Sequence, residues 1–106
     1  MSSEDYKTDK KKIGKSALEG IKNMRVENWK YKDGVGDGGG VEHTGTYAED
    51  FKRETGKGDG KSIPIGDAIG VTMKAVQELD EKVTKALPKL ADVKKAKGKS
   101  KSKGMA

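Results

Sequence analysis

Apolar positions are sparse along most of this chain and turn regular in only a few stretches. From Ile65 to Leu87, the residues Ile65, Ile69, Thr72, Val76, Leu79, Val83 and Ala86 fall at alternating spacings of four and three, the heptad seam of a helix that packs along its length. Asp67 suits the positive end of that helix, Lys82 and Lys85 suit its negative end, and Pro88 is expected to stop or redirect it. The spacing serves a coiled coil and a single amphipathic helix laid on its own domain about equally. Nor does it fix the number of strands, because Thr72 and Ala86 weaken the d layer.

Upstream the patterns are shorter. Ser16 and Glu19 have capping-box spacing ahead of Ala17, Leu18, Ile21 and Met24, which share one helical face, so residues 16–24 read as a short helix. In residues 25–32, Glu27, Trp29 and Tyr31 alternate with Val26, Asn28 and Lys30 as a half-buried strand requires, and Asp33-Gly34 ends the run in a turn. Nine of the fifteen glycines lie between Gly34 and Gly60 and mark two loops. Between the loops, residues 43–47 read as a short strand, and residues 48–55 as a short helix whose Ala48 and Phe51 face the core. The expected fold is α+β, with a small sheet, short helices and one long C-terminal helix.

Composition limits how such a chain can be stable. Only 31% of its 106 residues are hydrophobic and five are aromatic, so a lone copy builds a thin core. Cysteine is absent, which removes disulfides and thiolate zinc sites and leaves association as the expected remedy. The weak core tips the long helix toward pairing with its own kind. No apolar run is long enough to span a bilayer, and the N-terminus lacks the apolar segment of a secretory signal.

The net charge of +6 is concentrated at one end: residues 91–106 hold six lysines and one aspartate, leaving +1 for residues 1–90. The chain therefore divides into a nearly neutral body, 1–90, and a lysine-rich tail expected to be disordered and solvated. Weak, nonspecific nucleic-acid contact through that tail is the only such partner the charge suggests.

Candidate chemistry is thin. The run TGKGDGKS misses the phosphate-loop pattern by one position, since Thr55 stands where glycine is required. Asp33, Asp37 and Asp59 precede glycines as turn residues do, without calcium-loop spacing, and no metal or cofactor is expected. His43 is the single histidine, and Ser2 and Lys7 carry meaning only if the fold joins them, as a serine activated by a lysine.

Taken in order, SSEDYKTD, WKYKDG, the glycine-rich loop, EHTGTYAEDF, GKGDG and IPIGDAIGVTMKAVQELDEKV resemble the C-terminal intramolecular chaperone domain of phage tail fibres and endosialidase-type tail spikes, from Ser2 to about Val83. The resemblance implies a homotrimer that holds three fibre chains in register and then severs itself from them, with a serine at its first position and a lysine five residues later. Ser2, Lys7 and His43 stand at the matching positions. The chain departs from the family at Asp5, where a basic residue is usual, and at Lys10 to Lys12, where an apolar residue is usual.

Set beside the heptad seam, the threefold association that the resemblance implies makes Ile65, Ile69, Thr72, Val76, Leu79 and Val83 the expected trimer interface, in a trimeric coiled coil. Expected partners are two further copies and a tail fibre or tail spike protein, in the bacterial cytoplasm during phage assembly and with no membrane. With only Met1 ahead of Ser2, the expectation is a chaperone domain without an attached fibre. A separate gene, an internal translation start, or a fragment beginning at the processing site would each produce it. The alternative readings are a self-cleaving serine-lysine peptidase and a structural protein retained at the virion tail tip.

Overall fold

The computed structural model describes the backbone of residues 1–105 and the side chains of residues 1–89. A 3₁₀ turn, Glu4–Tyr6, is followed by α1 (Ala17–Lys22), β1 (Glu27–Trp29), β2 (His43–Gly45), α2 (Ala48–Thr55) and α3 (Ile65–Met105). The fold is a small α+β arrangement with one two-stranded antiparallel sheet, short helices and a long C-terminal helix. The expected boundary at residue 90 and the character of the tail, 91–106, lie outside the residues whose side chains are described.

The helix α1 begins where the capping residue requires, with the Ser16 hydroxyl oxygen accepting the Glu19 N–H at 3.1 Å. A second acceptor arrives from far along the chain. The Glu78 carboxylate on α3 takes the Leu18 N–H at 2.7 Å, the Ala17 N–H at 3.3 Å and the Ser16 hydroxyl at 3.1 Å. Beside it, Lys82 reaches Glu19 at 3.3 Å. These bonds, led by the Leu18 N–H, lower the Glu78 pKa and fasten the long helix to the body. Ala17 and Ala75 are buried between the two helices, and Gly20 sits against Glu54 with just enough room for its missing side chain.

The second anchor is a buried carboxylate. Asp50, on the first turn of α2, is only 1% exposed, yet every direction around it supplies a donor. Its oxygens accept the Arg25 backbone N–H at 2.9 Å, the Arg25 guanidinium at 3.0 and 2.8 Å, and Arg53 at 3.3 Å. The Arg25 guanidinium also lies over the Tyr47 ring, 4.5 Å from its centroid. The segment between α1 and β1 is thereby pinned to α2, next to Phe51, which is 2% exposed.

The strands β1 and β2 pair with Glu27 opposite Gly45, Asn28 opposite Thr44 and Trp29 opposite His43. They are shorter than the alternation of residues 25–32 implies, because the glycine-rich connection leaves the ladder after Trp29. That connection folds back on the sheet. Gly36 has φ +59°, and a side chain there would come within 2.6 Å of the Tyr31 ring, so only glycine lets the loop close over this aromatic residue.

The second loop is ordinary turn chemistry. Asp59 accepts the Lys61 and Ser62 N–H groups at 2.8 Å each. Its carboxylate is thus used inside the turn.

One expectation is corrected. The long helix does not stop at Pro88 but runs through it to Met105. Proline deprives the Thr84 carbonyl of its helical donor. Residues 79–89 are exposed on every face, so water can take that donor's place and the helix need not end.

Candidate functional site

The extended N-terminal arm closes on itself at the 3₁₀ turn. Ser3 caps it by accepting the Asp5 N–H at 3.2 Å, the Tyr6 and Lys7 N–H groups bond back to the carbonyls of Ser3 and Glu4, and Lys10 pairs with Glu4 at 2.9 Å. One turn of 3₁₀ helix places residues on either side of it close together. Ser2 and Lys7 flank the turn, and the Lys7 ammonium donates to the Ser2 hydroxyl oxygen at 3.3 Å. Both side chains are exposed. A lysine serves as a base most readily when its amine is desolvated, so the pair has the required distance and not the required seclusion.

His43 belongs to a different group. On β2 it faces its register partner Trp29, with the rings stacked 5.0 Å apart, and meets the edge of Tyr31 at 5.4 Å. Its Nε2 is 2.8 Å from the Asp37 carboxylate, a hydrogen bond that lowers the pKa of Asp37. No hydrogen bond joins His43 to Ser2 or Lys7 among the described residues. The cross-strand cluster of Trp29, Tyr31 and His43 was not legible as a unit in the sequence. The alternation of Trp29 and Tyr31 was its only signal, and the pairing register was needed to bring in His43.

The apolar seam of α3 is a third candidate. Ile65 is 74% exposed, Val76 61% and Leu79 49%, with Ile69 and Val83 close to half. The face that α3 turns toward its own domain is another one, carrying Ala68, Val71, Ala75 and Glu78. At about 100° per residue the two faces are roughly a quarter turn apart on the helix. The seam is therefore not the surface by which the helix packs on its own chain. Thr72, the polar member, donates its hydroxyl to the Ala68 carbonyl at 2.7 Å and brings no unpaired donor to the stripe.

Among the described residues, no helix is long and apolar enough to cross a membrane, and no cluster of His, Cys, Asp or Glu has the arrangement of a metal site. A family model described as chaperone of endosialidase matches residues 2–56. That span contains Ser2, Lys7 and His43 and stops short of α3, whereas the resemblance in sequence extends to about Val83. No curated protein and no solved structure matches the chain.

Proposed function

Because the chain belongs to the chaperone of endosialidase family, we propose that it promotes the trimerisation and folding of a phage tail fibre or tail spike protein, with three copies associating through α3. The observation that carries this reading is the exposed seam. Covering the remaining surface of Ile65, Ile69, Val76, Leu79 and Val83 is worth about 1 kcal/mol or more for each side chain, where the buried apolar core among the described residues is Ala17, Phe51 and Ala75. Met73, itself exposed, flanks the seam and widens it, and a broad apolar face is better covered by two neighbours than by one. Three bodies brought together in this way hold three fibre ends at high local concentration, so their strands can register before they aggregate.

Coexpression with a tail fibre protein tests the activity. The soluble, trimeric fraction of the fibre should rise several-fold in the presence of this chain. An unchanged fraction would count against the role.

The 3.3 Å Ser2–Lys7 contact favours a second reading, in which the domain also cleaves the peptide bond on the N-terminal side of Ser2. In this reading the Ser2 hydroxyl oxygen attacks the preceding carbonyl carbon while Lys7 takes its proton. The proton passes to the Ser2 amine as the C–N bond breaks, and water hydrolyses the resulting ester. The desolvation that Lys7 lacks in one copy would come from assembly. A short peptide fused ahead of Ser2 should be released at that bond by the parent protein, with release falling at least about a hundredfold in Ser2→Ala and Lys7→Ala. A fusion that associates and stays intact would dispose of the peptidase reading and leave the chaperone reading standing.

A further inference from the structure

The glycine-rich connection between β1 and β2 is built as one piece. Among the described residues its backbone hydrogen bonds stay inside it: Val35 N–H to the Lys32 carbonyl, Gly38 N–H to the Val35 carbonyl and Gly34 N–H to the Gly38 carbonyl, at 2.9 to 3.2 Å. The Asp37 carboxylate adds one more by accepting the Gly39 N–H at 3.1 Å. A loop closed on itself in this way moves as a body when its ends turn. Its ends are glycines at positive φ, Gly34 on one side and Gly38, Gly39 and Gly40 on the other, from +76° to +100°, and such residues turn with little steric cost.

Two contacts tie this piece to the sheet. Gly36 lies so close to the Tyr31 ring that no side chain fits between them, and Asp37 meets His43 Nε2 at 2.8 Å. That bond is the loop's only hydrogen bond to the strands among the described residues. Both tied residues touch Trp29, which stacks on His43 and meets the Tyr31 ring edge to face, with centroids 5.0 Å from each.

We propose that residues 33–42 form a strap latched over the Trp29, Tyr31 and His43 cluster by the Asp37–His43 pair, and that the latch loosens when the imidazole loses its charge. A charged imidazole makes the latch an ion pair. A neutral one leaves a single N–H donated to the carboxylate, and only in the tautomer that carries its proton on Nε2. Imidazoles change charge between about pH 5 and pH 8. Across that range Asp37 stays ionised, because the His43 hydrogen bond holds its carboxyl below the ordinary value. Its half of the latch is lost only as pH falls through and below about 3.9, the unfolded value.

The titratable groups packed against the imidazole are Asp37 from the loop and the Tyr31 phenol from the chain leaving β1. Asp33, the loop's other carboxylate, lies beside Gly39. The strap makes no hydrogen bond to α3 among the described residues, so the latch and the association of α3 can fail separately.

Trp29 is the only tryptophan in the chain, so quenching of its fluorescence by acrylamide, corrected for lifetime, reads how open the strap is. In the parent protein the quenching rate constant should rise about twofold or more between about pH 5.5 and about pH 8.5. Asp37→Asn cannot form the ion pair and should give the higher value at both pH values. Gly36→Ala should do the same with Asp37 and His43 in place, since its methyl group would meet the Tyr31 ring. Helical circular dichroism shows separately that each variant keeps its helices, and the parent's own pH response needs no substitution.

A parent constant that is the same at both pH values would overturn the proposal. So would Asp37→Asn responding to pH as the parent does, or Gly36→Ala keeping the parent's low value at about pH 5.5.

Discussion

Asp50→Ala is expected to lower the midpoint of thermal unfolding by more than about 10 °C, as losing one partner of a buried ion pair does in a domain this small. The loss is larger than that of one salt bridge because a single carboxylate serves three groups. Without it, the Arg25 backbone N–H and guanidinium lose their acceptor, while Arg53 keeps only Glu54 and the Asn23 carbonyl. Asp50→Asn keeps the shape and one acceptor oxygen and should fall between the two.

The same carboxylate sets an acid limit. The Arg25 hydrogen bonds hold it well below the usual carboxylate range. A folded-state value below the unfolded one means that its stabilisation is present in full above about pH 5 and is lost as pH falls through and below about 3.9, the unfolded value. Thermal melts of the parent and Asp50→Ala between about pH 7 and pH 3 should therefore converge toward the acid end. A gap that stays constant across that range would show that Asp50 acts by shape and not by charge.

The second large effect is on association. Val76→Asp with Leu79→Asp places two charges on the seam, both at positions exposed in a single copy. Six carboxylates would then meet at the axis of a trimer, where burying an unpaired charge costs several kcal/mol each. The expected product is a soluble monomer whose body stays folded, because α1, α2 and the inward face of α3 are untouched. Circular dichroism should keep its helical signal from the short helices and lose part of that from α3. A variant that unfolds altogether, or one that associates as the parent does, would contradict this division of faces.

The parts of this fold that sequence reasoning reached are those written in local pattern. The Ser16 cap, the inward Phe51, the turn at Asp59 and the stripe along α3 each follow from spacing alone. What escaped it are contacts between groups far apart in the chain. Glu78 looks like any carboxylate on a charged helix, and only the fold sets it against Leu18, sixty residues earlier. Asp50 sits in a run, Glu49-Asp50, where a solvated face is the ordinary reading, and nothing nearby announces that Arg25 will bury it. Pro88 misleads for the opposite reason, since a local rule about helix ends yields where water can reach the backbone.

The candidate site divides along the same line. Ser2 and Lys7 come together through a local turn that Ser3 caps. His43 joins Trp29 and Tyr31 through a strand register that no spacing could specify.

Sedimentation equilibrium of the purified protein over a wide concentration range bears most directly on the claim that α3 completes the fold through its own copies. The account requires a species of about three times the 11.4 kDa chain mass, dissociating if at all only at the lowest concentrations. A single chain mass throughout, with the helix still formed and its seam in water, would contradict it.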